Sequence, residues 1–147
     1  MTPEQTRALH AETFHTWAAA LEADDMPTYL DCFTEDTEFE DIPLQLTLRG
    51  RDELGRVVSD GIKWLGHERI DIDLHLEDSG GHAAVMMRVH MRIRDQIPGI
   101  PDRVNVGSLC TVHTASVFRF DQDGRITWER CHWDLSELLR QIRAPQA

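Results

Sequence analysis

From Ile70 onward the apolar residues of this chain recur with a period of two, and that pattern constrains the fold more than any other. Ile70, Ile72, Leu74 and Leu76 alternate with Asp71, Asp73, His75 and Glu77, which predicts a strand with one apolar and one wet face. Val85 to Arg94 repeats the alternation. Met87, Val89, Met91 and Ile93 fall on one face, and Arg88, His90, Arg92 and Arg94 on the other. Leu109 to Phe120 and Ile126 to Trp133 read as two further strands. Gly80-Gly81 and Asp121-Gln122-Asp123-Gly124 supply turns, and the Pro- and Gly-bearing stretch from Gln96 to Gly107 reads as a loop.

Ahead of Ile70 the period is helical. Thr2, Pro3 and Gln5 offer an N-cap, a proline at the first helical position and a capping-box glutamine. Leu9, Phe14, Trp17, Ala18 and Leu21 then make one apolar face. Asp24-Asp25 ends this helix and caps a short second one carrying Tyr29, Leu30 and Phe33. Thr37 to Asp41 reads as a short strand ending at Pro43. Gly50 opens a third helix with Leu54, Val57, Val58, Ile62 and Leu65 on its apolar face, and a short helix from Leu135 to Ile142 closes the chain. Helices followed by a meander give one α+β domain over residues 1–147. The expected architecture is a curved antiparallel sheet with helices across its concave side, a cone holding an apolar pocket.

Charge excludes several function classes. Lys and Arg total 15 against 26 Asp and Glu, for a net charge of -11, whereas nucleic-acid binding needs a basic footprint and an anionic membrane attracts one. No apolar run approaches the roughly 18 residues of a membrane span, and no basic region followed by an apolar one opens the chain, so a cytoplasmic protein is expected. Cys32, Cys110 and Cys131 are widely spaced and contain no CxxC, which disfavours a disulfide framework or a zinc knuckle. Nothing fixes a metal geometry around His90, His132 and Asp134: HxH and HExxH are both missing. With no Gly-rich phosphate loop or GxSxG elbow either, the expected chemistry needs no cofactor.

The candidate catalytic groups are Asp134, His90, Arg88 and Asp41. Arg88 and His90 share a strand face. A histidine exchanges protons near neutral pH, and an aspartate in an apolar cone has its pKa set by burial and by a neighbouring arginine. Structural roles compete with each assignment. Asp134-Leu135-Ser136-Glu137 reads equally well as a capping box. Asp41, two residues before Pro43, fits a turn. His75 beside Asp71, Asp73 and Glu77 fits a wet face. Phe39, Trp17, Tyr29, His132 and Trp128 are the candidate substrate-binding residues, with His132 and Arg130 sharing the face of Asp134 if no bulge intervenes.

The helix–helix–strand–helix opening and the segment from Phe118 to Ile142 resemble the NTF2-like superfamily, in particular limonene-epoxide hydrolases and SnoaL-type polyketide cyclases. The resemblance spans Thr13 to Ile142. Phe39-Glu40-Asp41-Ile42-Pro43-Leu44 resembles the hydrolase segment Tyr-x-Asn-x-Pro-Leu, Arg88-Val89-His90 its Arg-x-Asp strand, and Trp133-Asp134-Leu135 the aromatic-Asp-Leu that ends its last strand. The resemblance implies that Asp134 is the base that deprotonates water, that Phe39 and Asp41 occupy the water-holding positions, that His90 stands where an acid protonates the epoxide, and that Arg88 orients both. Phe39, Asp41 and His90 depart from the hydrolase residues. A His–Asp pair is closer to the SnoaL-type cyclases, and a strand histidine with His75 as its second resembles the scytalone-type dehydratases. The expectation is an epoxide-hydrolase-like enzyme acting on a small apolar substrate, with a cyclase, isomerase or dehydratase as the alternative. A non-catalytic ligand-binding or protein-association module is the other class, since this fold also serves those roles. The resemblance also implies a homodimer.

Overall fold

A computed structural model describes residues 1–143. Helix α1 (Pro3–Glu22) starts as the sequence predicts: Gln5 N donates to Thr2 Oγ1 at 3.1 Å and Thr2 N to Gln5 Oε1 at 2.9 Å. Asp24, at φ 53°, breaks it, and Asp25 caps α2 (Met26–Asp31) by accepting from Thr28 N at 3.2 Å. Strand β1 (Phe33–Asp41), strand β2 (Leu46–Arg49) and helix α3 (Arg51–Gly61) follow. The meander is β3 (Leu65–Glu77), β4 (His82–Ile93), β5 (Leu109–Phe120) and β6 (Ile126–Trp133), and α4 (Leu135–Ile142) ends the domain.

The six strands form one sheet in the order β2-β1-β6-β5-β4-β3. The meander is antiparallel throughout, but β1 runs parallel to β6, with Phe39 opposite Glu129 and Asp41 opposite Cys131. The sheet is therefore mixed rather than wholly antiparallel. Both strands start at the same place: Ile126 N donates to Cys32 O at 2.8 Å where α2 delivers the chain into β1. Two strands pinned at their first residues can only run side by side in one direction. β2, which the pattern did not predict, folds back on β1 after a turn in which Gln45 takes φ 52°. Leu65 belongs to β3 rather than to the third helix, which stops at Gly61.

A register shift between Ile72 and Leu74 corrects the reading of β3. One inserted residue reverses every side chain beyond it. Ile70 stays inside, whereas Leu74 and Leu76 are exposed and the His75 side chain is only 8% exposed. His75 is thus not on a wet face. Its ring meets Phe14 edge-on with centroids 5.1 Å apart, and its Nε2 lies 3.5 Å from Glu77 Oε1, which also receives His10.

The apolar face of α1 packs against the inner face of the sheet. Phe14, Trp17 and Leu21 join Val85, Met87 and Phe118 in the main core. A second cluster of Ile93, Val104, Cys110, Val112, Leu138 and Ile142 ties α4 and the 94–108 loop to the far end of β4 and β5. Between these two cores the concave face is left open. Among the described residues no helix is long and apolar enough to cross a membrane.

Candidate functional site

The gap between the two cores is a cavity of about 760 Å³, bounded by the inner face of the sheet, α1, α3, α4 and the loop carrying Ile97 to Asp102. That is ample for a drug-sized ligand, at the upper end of the roughly 300–1,000 Å³ range of small-molecule sites. Its wall is largely apolar, with a few polar groups facing inward.

Strand alternation selects those groups. On β4 the residues that line the cavity are Met87, Val89 and Met91, so Arg88 and His90 point to the opposite face. Arg88 forms a two-pronged pair with Asp73 (Nε–Oδ2 2.9 Å, Nη2–Oδ1 2.8 Å). His90 is bracketed by Asp71 at 2.9 Å and Thr111 at 2.8 Å. On β6 the lining residues are Glu129, Cys131 and Trp133, so Trp128, Arg130 and His132 face outward. The guanidinium groups of Arg119 and Arg130 each lie over the Trp128 ring, 5.4 Å from its centre. Asp134 is the N-cap of α4, accepting from Ser136 N at 2.9 Å. The expectation that Asp134, His90 and Arg88 converge in the pocket, with His132 and Trp128 against the substrate, is corrected by this register: among the described residues none of the five is part of the wall. The capping box is also incomplete, because Glu137 turns to His113, whose Nδ1 lies 2.6 Å from its Oε1. Asp134→Ala is expected to cost about 1 kcal/mol of stability, the usual loss of an N-cap. Thermal melts should show that loss while turnover stays at the wild-type level, and a collapse of turnover in a folded variant would return Asp134 to the site.

Asp41, Phe39, Tyr29 and Trp17 do line the cavity. Asp41 combines the turn role with an inward carboxylate. It accepts from Leu44 N at 3.1 Å, closing the turn into β2, and both its oxygens lie 3.1 Å from Trp133 Nε1. Burial raises its pKa, and the indole and the Leu44 amide hold that rise back. Glu129 is the polar group that sequence reasoning missed. It is 2% exposed, and its Oε1 has no hydrogen-bond partner among the described residues. Burial, and secondarily the charge of Asp41, push its pKa up to about 8, so it is a neutral acid at pH 7. The signal was present in Glu129-Arg130-Cys131-His132-Trp133, where a carboxylate shares the face of Cys131 and Trp133.

Of the other polar groups of the wall, Asp102 and Arg143 pair with each other at 3.1 Å, and the rest are neutral. Burial, then the neighbouring Glu129, raise the Tyr29 phenol well above its usual value. Burial and Glu129 push the Cys131 thiol up to about 12, which leaves it unreactive as a nucleophile. Among the described residues Trp17 Nε1 and His67 Nδ1, the latter on β3, are buried without a partner. The His67 pKa is lowered to about 4, chiefly by burial. Among the described residues no group of three or more His, Cys, Asp or Glu is arranged to hold a metal ion.

Comparison with known proteins agrees with this architecture. The family model described as a SnoaL-like domain matches residues 14–129. No curated protein matches the chain. Among solved structures, a candidate polyketide cyclase from Pseudomonas putida superposes with a TM-score of 0.77 at 20% identity, covering 90% of this chain and 97% of that one. A protein with a ketosteroid isomerase-like fold from Catenulispora acidiphila, in complex with trimethylamine, gives 0.73 at 20% identity, covering 91% and 94%. An LEH-like epoxide hydrolase from M. tuberculosis gives 0.69 at 19% identity, covering 90% and 88%. At such identities the likeness is one of fold.

Proposed function

The chain belongs to the SnoaL-like domain family, and on that premise we propose that it binds a small, largely apolar molecule in the cavity and moves protons on it without a cofactor. Asp41 is the base and Glu129 the acid. The observation that carries this reading is the unequal treatment of two carboxyls that are diagonal neighbours on the inner face of β1 and β6. One receives the Trp133 indole and the Leu44 amide, and the other is buried with an Oε1 that has no partner among the described residues. Neighbouring carboxyls whose environments push their pKa values apart are a recurring way of placing an acid and a base together near neutral pH.

The reaction class that fits is proton transfer next to a carbonyl. Asp41 removes a proton from carbon while the neutral Glu129 gives its own proton to the oxygen that gains charge, leaving an enol. Return of the carbon proton from Asp41 at another carbon, with the enol proton going back to Glu129, is isomerisation; attack of the enol carbon on a second carbonyl, whose oxygen takes the Asp41 proton while Glu129 regains its own, is ring closure. Water addition to an epoxide would use the same pair, but the inner face of β4 offers Met87, Val89 and Met91 where that chemistry, by the family resemblance, has an arginine and an acid. Isomerisation or cyclisation is therefore the preferred reading.

Its test is a panel of β,γ-unsaturated ketones, β-hydroxy ketones and epoxides, run in deuterated and in ¹⁸O-labelled water. Deuterium entering a carbonyl substrate is expected with the wild type, and Asp41→Asn should lose on the order of 10²–10⁴-fold in rate. The rate should also fall above pH 8, where Glu129 gives up its proton, and at low pH, where Asp41 gains one. Labelled oxygen in the product would favour epoxide opening. Equal turnover by Asp41→Asn, or tight binding with no turnover of any class, would sink the base assignment.

A further inference from the structure

The acid–base pair occupies one side of the cavity, on β1 and β6. β3, which carries His67, is three strands from β6 in the sheet, a separation of roughly 14 Å at about 4.8 Å per strand. His67 is the polar side chain of this far wall whose bonding is unexplained. Its Nδ1 is sealed from solvent with no partner among the described residues. The ionic groups beside it are spent on each other: Arg94 Nη2 donates to Asp24 at 2.9 Å, and Arg94 Nη1 to Ile62 O at 2.8 Å. Burial lowers the pKa to about 4, so the ring is neutral across the working pH range.

A neutral imidazole carries one proton, on one of its two nitrogens. A sealed N–H without an acceptor is a rarer and costlier arrangement than a sealed lone pair. The proton therefore belongs on Nε2, which becomes a donor available to whatever fills the cavity. We propose that His67 is a second recognition point, and that the cavity takes a neutral, elongated, mostly apolar molecule with one oxygen function at Asp41 and Glu129 and a second oxygen acceptor at His67. A carboxylate in that second place is disfavoured, because the ring brings no positive charge to meet it and the protein's net charge is -11. This rests on the proposed site for the position of the first oxygen, and it adds the substrate's length and its second functional group.

The test reads binding rather than turnover, so its result does not depend on whether Asp41 and Glu129 catalyse anything. Tetradecane-2,13-dione and tetradecan-2-one differ in the distal carbonyl alone. By calorimetry or displacement of an apolar fluorophore, the wild type should bind the dione roughly tenfold more tightly than the mono-ketone. His67→Leu should lose that preference while keeping its affinity for the mono-ketone within about twofold, which also shows that the variant is folded. His67→Gln, which retains a donor, should restore part of the preference. Equal affinity of the wild type for both ketones, an equal loss for both on substitution, or failure of both to bind the wild type would each overturn the inference.

Discussion

Glu129→Gln is expected to do two opposite things: to lower turnover on the order of 10²–10⁴-fold, as loss of a general acid does, and to stabilise the protein. The sign follows from linkage. The folded-state pKa is about 8 against an ordinary value of 4.5, so the native state holds a proton that the unfolded chain releases. This group's contribution to stability therefore declines as pH rises from 4.5 to about 8. At 1.36 kcal/mol per unit, the cost reaches roughly 4 kcal/mol at pH 7.5. A glutamine stays neutral and carries no such cost. Urea unfolding at pH 5 and pH 8 should show wild type and variant converging at the lower pH and separating at the higher one. Parallel stability curves would mean that Glu129 titrates normally. A stabilised variant with full turnover would remove Glu129 from the chemistry and leave its burial unexplained. Loss of function together with a gain in stability is the usual mark of a strained functional group.

Phe118→Ala is expected to cost 3–5 kcal/mol, the range for truncating a buried aromatic. Phe118 has no exposed surface. Its ring meets Phe14 at 4.8 Å, Trp17 at 6.4 Å and Phe120 at 6.3 Å. With Phe120, which stacks on His10, it is where β5 supports α1, so its loss removes contacts to the helix and leaves a void in the core. Against a typical total of about 5–15 kcal/mol for a domain, such a loss would move the urea midpoint substantially. Met86→Ala, on the outer face and 53% exposed, is the comparison and should change stability by less than about 0.5 kcal/mol. A Phe118→Ala midpoint within error of the wild type would show that α1 does not depend on this contact.

The helix starts were legible because their signals are local, whereas Phe33 and Leu65, read as helical, begin β1 and β3. The Thr2–Gln5 box, the Asp24-Asp25 break and the Gly50 start each act over three or four residues. Most strand positions were legible for the same reason. β2 was not, because the alternation of Leu46-Thr47-Leu48-Arg49 is only four residues long and becomes a strand by pairing with β1. The bulge in β3 was equally hidden, since nothing in Asp71 to His75 announces an extra residue, and it reverses the roles of His75 and Leu74.

The candidate site divides in the same way. The sequence assigns Asp41, Phe39, Tyr29 and Trp17 to the site, and all four line the cavity. Alternation on β4 separated Met87, Val89 and Met91 from Arg88 and His90, and that separation holds. What the chain by itself determined is therefore the partition of each strand into two faces, because side-chain alternation is a property of the extended backbone. Which face looks into the cone was decided by tertiary structure alone. α1 needs an apolar surface to cover, so the strands turn their apolar faces inward and their charged faces out to solvent and ion pairs, except in β3 beyond its bulge, where His75 is inside and Leu74 and Leu76 are exposed. A functional carboxyl must then be the rare polar residue on the apolar face, as Glu129 is, and only the assembled sheet, with β1 parallel to β6, brings it beside Asp41.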